Sequence, residues 1–246
     1  MDGGSAALLA AAGVGAGAVN AVAGGGSLIS FPALLATGYP SITANVTNAI
    51  AVLPGYVGGS LAYRRELAGQ TARIRALALT SAVGAAAGAA LLLVSPASVF
   101  EAIVPWLILA ACGLLAVQPR AAAAAHARHG RSPLTLHAAI FAAAVYGGYF
   151  GAGLGIMLLA ILGVFVDDGL QRLNALKGVL SLLVALVTAL GFALFGPVAW
   201  DAAALVGITS LAGGALGVGL ARRLPAPVLR GLVIAYGVAV AIVLLV

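Results

Sequence analysis

Ten apolar segments, divided by short polar or glycine-rich breaks, make up most of the chain. Most have about 20 residues, the length at which an α-helix spans a bilayer core of about 30 Å. Segments 27–37 and 154–166 are too short to span it alone, and each follows a glycine break, Gly24-Gly25-Gly26 or Gly151-Ala152-Gly153. The pattern predicts an all-α integral membrane protein with a glycine-broken or re-entrant helix pair in each half. The ten segments are 5–23, 27–37, 44–63, 75–94, 99–117, 134–150, 154–166, 173–195, 200–220 and 228–246.

A polar element occurs twice inside the apolar segments, as Asn45-Val46-Thr47-Asn48 and Asn174-Ala175-Leu176-Lys177, at a spacing of 129 residues (174 minus 45). Amide, hydroxyl and ammonium groups are costly in hydrocarbon, so their repetition predicts a binding site made from two halves. The same spacing relates three further pairs, which are Gly84 and Gly213, Gly88 and Gly217, and Pro96 and Pro225. We expect these glycines to serve close helix packing.

The repeated spacing predicts a duplicated chain. The first membrane repeat is expected at 1–117, a cytoplasmic basic linker at 118–133 and the second membrane repeat at 134–246. Each repeat is expected to hold about three spanning helices beside its glycine-broken pair.

The basic residues bear on whether the repeats are parallel or inverted, because cytoplasmic loops of membrane proteins are enriched in lysine and arginine. If each broken pair crosses the membrane once, the repeats are parallel, and the 12 basic residues divide between the two sides. If each pair returns to its starting side, the repeats are inverted, and all 12 fall on or enter from one side. We favour inverted repeats with both termini outside and the basic loops cytoplasmic, and keep parallel repeats as the alternative.

Composition excludes several classes of function. A chain that is 63% hydrophobic and 7% charged cannot cover a soluble domain of this size with polar surface. The net charge of +6 does not indicate a nucleic-acid partner, because the basic residues fall in short loops that orient the protein in the inner membrane. The single Cys112 is read as a packing residue, and His126, His129 and His137 as solvated loop residues. Without a catalytic motif or metal-ligand spacing, we expect no enzyme activity, cofactor or metal site; the oligomeric state is left open.

Lys177 is the only lysine in the chain, and it lies about one turn inside segment 173–195. A lysine at mid-membrane costs roughly 2.5–3.5 kcal/mol, which argues for a compensating role. Lys177 is predicted to bind an anion. The alternative is a side chain that snorkels to the cytoplasmic surface near Arg172.

Neutral donors complete the predicted anion site. The asparagines and threonine at 45–48 open a helix, so they can cap it, help it bind an anion, or do both. The glycine breaks let backbone approach a ligand, with close helix packing as the alternative. Pro54 and Gly55 are predicted to kink the helix after Asn48. The predicted substrate-binding residues are Asn20, Gly24, Gly25, Gly26, Ser27, Asn45, Thr47, Asn48, Gly151, Gly153, Asn174 and Lys177.

At these residues the sequence resembles the TauE/SafE family of membrane anion transporters, and the resemblance extends over almost the whole chain. It is carried by NAVAGGGSLISFP at 20–32, ANVTN at 44–48, LPG at 53–55, VYGGYFGAGLG at 145–155, NALK at 174–177 and FGPVAW at 195–200. The resemblance implies transport, often export, of sulfite or organosulfonates. The chain departs from the family pattern in the helix after Lys177, where relatives often carry an asparagine near position 185 and this chain has Ala185.

The expected function is secondary transport of a small anion by alternating access between the two repeats. Outward movement of one negative charge gains about 2.3 kcal/mol per 100 mV, and no acidic residue lies deep in a segment to couple uptake to protons, so we expect export. A passive anion channel and a non-transporting accessory or scaffold protein are the alternatives. A cation or metal transporter is disfavoured by the near absence of carboxylates and thiolates within the segments.

Overall fold

A computed structural model describes residues 1–22, 25–124, 132–221 and 226–245, and within these ranges every regular element is an α-helix. Helices α1 to α6 come from the first half of the chain and α7 to α11 from the second. The helices are α1 Gly3–Val22, α2 Ser27–Ala36, α3 Ser41–Ala51, α4 Leu53–Ala62, α5 Thr71–Val94, α6 Ala97–Ala124, α7 Pro133–Tyr149, α8 Leu154–Phe165, α9 Leu170–Phe195, α10 Trp200–Ala221 and α11 Ala226–Leu245.

Helix boundaries follow the breaks in the apolar pattern, with one predicted segment divided in two. Segment 44–63 becomes α3 and α4, which meet at Val52. Pro54 follows at the second position of α4, where its missing N–H leaves no hydrogen bond unmade but prevents α3 from continuing. The predicted kink after Asn48 is therefore confirmed. Helix α6 also runs on to Ala124, beyond the segment end at 117.

Several helices have the length and composition of membrane spans. Among the described residues, four are long and apolar enough to cross a bilayer: Gly3–Asn20, Thr71–Val94, Ala97–Val117 and Leu170–Phe195. Helices α2 and α8 are apolar but have only 10 and 12 residues. Large apolar side chains cover the outside of the bundle, where Val94 and Phe195 are 77% and 78% exposed. Such a surface suits hydrocarbon rather than water.

Two helix pairs are joined through glycines, and each pair contains one helix from each half of the chain. Helix α1 lies along α10, and α5 lies along α7. A Cβ added at these glycines would overlap the backbone of the facing helix, so only glycine lets the helices approach so closely. The pairs in contact are Gly17 with Ser210, Gly213 with Val14, Gly84 with Phe141, Gly88 with Val145 and Gly148 with Ala85.

The predicted packing role is thus confirmed for Gly84, Gly88 and Gly213. The surroundings of Gly217 and Pro225 lie outside the described residues.

Contacts also give the relative directions of the helices. Gly84 contacts Phe141 and Gly88 contacts Val145, so α5 and α7 run parallel. By contrast, α3 and α4 run antiparallel to α9. Ser60 lies beside Gly178, whereas Val46, further towards the N-terminus, lies beside Gly196.

Several of the main helix contacts occur twice. In the second version, each helix is replaced by the corresponding helix of the other half. The pair α1–α2 corresponds to α7–α8, α1–α10 to α7–α5, and α6–α8 to α11–α2. Each of these contacts is present in both versions. Corresponding helices of the two halves therefore make corresponding contacts.

The close pairing of α5 with α7 predicts that Gly88→Ala lowers stability, although alanine favours helix. The new Cβ would overlap the Val145 carbonyl and push the helices apart, and such overpacking costs about 1–3 kcal/mol. We expect the thermal unfolding midpoint of purified protein in detergent to fall by several degrees.

Gly113→Ala in α6 is the matched control, since no atom lies within 4 Å of its added Cβ. The same midpoint in both variants would contradict the packing account.

Candidate functional site

A cavity of about 30 Å³ lies between the two halves of the bundle. Residues of α3 and α4 face it from the first half, and residues of α7 and α9 from the second. Both glycine breaks reach it, through Ser27 at the start of α2 and Gly151 between α7 and α8. Its polar side chains are Ser27, Asn48, Tyr56 and Thr188. No acidic residue is among its lining residues.

Asn48 is the asparagine of the repeated element that faces this cavity, and it is 2% exposed. The Ser30 hydroxyl of α2 donates to Asn48 Oδ1 at 2.5 Å. Because Oδ1 already accepts this hydrogen bond, the NH₂ group is the part of the amide that can bind a ligand in the cavity. Asn48 therefore offers a hydrogen-bond donor, which suits an acceptor such as an anion.

Asn45 and Thr47 connect helices across the interface and do not line the cavity. Asn45 Nδ2 donates to the Tyr149 carbonyl at 2.9 Å, in the last turn of α7. Thr47 Oγ1 accepts from the Ala199 N–H at 3.0 Å, just before α10. Both bonds satisfy backbone groups that a helix end leaves without an intrahelical partner. In this structure these two residues cap helices of the opposite half.

The break between α7 and α8 depends on glycine. Gly151 and Gly153 have φ angles of 81° and 78°, in the left-handed region that other residues rarely adopt. The Tyr146 hydroxyl donates to the Ala152 carbonyl at 2.6 Å and so satisfies a buried backbone oxygen within the break. Gly151 lines the cavity, whereas Gly153 packs beside Ala111.

The first break is only partly described, because Gly24 lies outside the described residues. Gly26 lies against the Ala16 carbonyl of α1, and Gly25 packs near Leu115. Asn20 is partly buried and does not line the cavity. Ser27 is therefore the predicted residue of this region that the structure places at the cavity.

Lys177 and Asn174 lie away from the cavity, towards the start of α9. Lys177 Nζ donates to Asn174 Oδ1 at 3.3 Å. Val184, the cavity-lining residue of α9 nearest to Lys177 in sequence, is seven residues further along the helix (184 minus 177), or about 10 Å away at 1.5 Å per residue. Because α3 and α9 are antiparallel, Asn48 and Lys177 stand towards opposite ends of the cavity. The two copies of the repeated element do not meet in this structure.

Sequence reasoning missed Ser30, Tyr56, Ser181 and Thr188. A signal for two of them was present in the spacing of polar residues on α9. Positions 174, 177, 181 and 188 differ by three, four and seven, which places them on one face of a helix. Isolated serines and threonines in apolar helices also hydrogen-bond to their own backbone, so this row of polar residues did not by itself indicate a binding site.

A polar network closes the end of the bundle where α9 begins. Arg73 and Arg172 both form ion pairs with Asp168, and Gln70 Nε2 donates to the Arg172 carbonyl at 2.9 Å. Desolvation alone would raise the pKa of Asp168, but hydrogen bonds from Arg172, Arg73 and the Gly169 N–H outweigh it and lower this pKa. Asp168 is thus a carboxylate at neutral pH, joining the first turn of α5 to the first turn of α9.

One histidine departs from its predicted loop position. His137 lies in α7, and its Nδ1 is 2.7 Å from the Thr80 hydroxyl of α5. His126 and His129 lie outside the described residues. Among the described residues, no group of three or more His, Cys, Asp or Glu side chains could hold a metal ion.

Comparison with known proteins identifies similar chains. The sequence profile of the sulfite exporter TauE/SafE family matches residues 9–244. A probable membrane transporter protein, ORF9, of Sinorhizobium sp is 30% identical over 94% of this chain and 88% of its own length. A probable membrane transporter protein of Haemophilus influenzae is 28% identical over 84% of this chain and 79% of its own. No solved structure shows a significant match.

Proposed function

The chain belongs to the TauE/SafE family of multi-pass membrane transporters, and we propose that it exports a small sulfur oxyanion through the cavity between its halves. Sulfite or a small organosulfonate is the proposed substrate. The observation that carries this proposal is the lining of the cavity, which offers the Asn48 amide and neutral hydroxyls without a carboxylate. The amide NH₂ group and the hydroxyls can donate to an anion, whereas no carboxylate among the lining residues would balance the charge of a cation.

The predicted binding residues that the structure describes divide into three groups under this proposal. Ser27, Asn48 and Gly151 contribute to the central cavity. Lys177 and Asn174 act on the cytoplasmic side of it. The remaining residues shape the site by holding the helix breaks and ends, and they are Asn20, Gly25, Gly26, Asn45, Thr47 and Gly153.

Ala185 bears on the choice of substrate. It lines the cavity and is apolar, close to the position where the family resemblance implies an asparagine. The volume of about 30 Å³ holds roughly two water molecules. Both features favour sulfite over a bulkier organosulfonate.

A cavity of this size must widen for an oxyanion to pass, which agrees with alternating access. The glycine contacts suggest which parts stay together during the change. Helices α1 and α10 touch backbone to backbone, as do α5 and α7, and each pair contains a helix from each half. We infer that these pairs move as units, and that α3 and α4 shift against α9.

Two observations support inverted repeats with re-entrant pairs. Equivalent helices, such as α3–α4 and α9, pack antiparallel, as a two-fold axis in the membrane plane requires. Arg73 and Arg172 meet at one end of the bundle, while Glu101 accepts from Ser41 at the other. The positive-inside rule then makes the arginine end cytoplasmic.

The orientation has a direct test. The test uses a reporter enzyme that is active only outside the cytoplasm, fused to the C-terminus. This reporter should be active, because inverted repeats bring both termini to the outer face. A protein with parallel repeats would present the same reporter inside.

The central proposal predicts that Asn48→Asp strongly reduces transport in a folded protein. The carboxylate has the size of the amide and can still accept from Ser30, but it replaces a donor with a negative charge. Hydrogen bonds to charged groups contribute about 1.5–3 kcal/mol, so efflux should fall at least about tenfold. The measurement is sulfite efflux from proteoliposomes at a set membrane potential, with thermal unfolding as the check on folding.

Asn45→Asp is the comparison, because it removes the donor to the Tyr149 carbonyl and should mainly lower thermal stability. Wild-type efflux should saturate with sulfite concentration and increase with inside-negative potential. Undiminished efflux in folded Asn48→Asp would refute the assigned cavity. Single-channel currents would favour an anion channel, and no flux of any sulfur oxyanion would favour an accessory protein.

A further inference from the structure

A second group of polar atoms lies between the first turn of α8 and one face of α9, apart from the central cavity. Lys177 Cδ and Cε lie 3.8 and 3.9 Å from the point where a Cβ on Gly155 would stand. Ser181 Oγ lies 3.9 Å from the same point. None of these three residues lines the central cavity. The missing side chain of Gly155 therefore leaves a methyl-sized space bordered by the methylene stem of Lys177 and the hydroxyl of Ser181.

Ser181 has an unused hydroxyl in this space. It is 1% exposed, and its Oγ has no hydrogen-bond partner among the described residues. Buried polar atoms are rarely left unpaired in proteins, because desolvation is then uncompensated. An acceptor atom of a bound ligand would satisfy this hydroxyl.

The start of α8 adds a backbone donor. Leu154 donates its N–H to the Gly151 carbonyl, and Ile156 and Met157 donate theirs to Gly153. Within the described backbone hydrogen bonds, none uses the N–H of Gly155. Free N–H groups and the helix dipole make the first turn of a helix favourable for an anion.

Lys177 supplies a full positive charge beside this turn. Its ammonium donates to the neutral Asn174 Oδ1, and it forms none of the ion pairs found in the described part of the chain. A partly buried cation without an anionic partner is unfavourable in a membrane. The charge is therefore available to a ligand of opposite sign.

We propose that Lys177, Ser181 and the first turn of α8 at Gly155 form a second oxyanion site on the cytoplasmic side of the cavity. The proposal rests on the transport function above and adds Ser181 and Gly155 to its machinery. An oxyanion fits because its several oxygens can accept from the ammonium, the hydroxyl and the N–H together. The substrate first meets a cation here and then passes to the neutral donors around Asn48.

Two substitutions test this site without disturbing the fold. Gly155→Ala fills the space, yet its Cβ would make only ordinary contacts at 3.8 Å or more. Ser181→Ala removes the unpaired hydroxyl. Neither should lower the thermal unfolding midpoint. Both should raise the sulfite concentration for half-maximal efflux from the cytoplasmic face by about tenfold, the loss expected for one charge-assisted hydrogen bond.

Matched controls come from elsewhere in the bundle. Ser81→Ala removes another buried, unpaired hydroxyl, on α5. Gly191→Ala adds a Cβ on α9 that meets only Ala89, at 3.8 Å. Neither control should change the half-maximal concentration.

Stabilisation by sulfite, measured in detergent as the shift in unfolding midpoint against chloride, gives a second readout. It should be smaller in Ser181→Ala and Gly155→Ala than in their controls. If wild-type protein transports sulfite but both site variants match their controls in both assays, the second site is wrong and the transport function stands. If wild-type protein neither transports nor is stabilised by sulfite, both proposals fail.

Discussion

The need to satisfy backbone polar groups where helices break within an apolar bundle determines much of this structure. A continuous helix bonds its own N–H and C=O groups, but each break releases several of them where no water can replace the lost partners. The Tyr146 hydroxyl bonds the Ala152 carbonyl, and Asn45 bonds the carbonyl of Tyr149 from the other half. The break between α7 and α8 is therefore stabilised by polar side chains, and one of them, Asn45, also joins the two halves.

This requirement separates polar residues that look alike in the sequence. Asn45 and Thr47 form hydrogen bonds with backbone groups at helix ends. Asn48, by contrast, is oriented by Ser30 and faces the cavity. On α9, Lys177 and Ser181 border the first turn of α8. In this account, transport uses the hydrogen-bond donors that are not needed to hold the helices together. Such donors from both halves come together in the cavity.

The sequence predicted the helical class and the helix boundaries well, because apolar runs and glycine or proline breaks report directly on backbone preference. It also predicted the short helices α2 and α8 and the packing role of Gly88. It could not predict which donors share a cavity. Asn48 and Lys177 occupy matching positions of the repeated sequence element, but antiparallel packing of α3 with α9 places them towards opposite ends. Such separation depends on helix register, which a repeat spacing does not contain.

Cross-linking α4 to α9 tests most directly whether the cavity works by movement between these helices. Ser60 Oγ lies 3.7 Å from the Cβ position of Gly178. Cysteines placed at both positions, in a Cys112→Ser background, can therefore be joined by a short reagent that links two thiols through thioether bonds. Sulfite does not cleave such bonds. The account predicts that the double-cysteine protein transports sulfite before cross-linking and stops afterwards, while each single cysteine treated with the reagent still transports. Full transport by the cross-linked protein would contradict it.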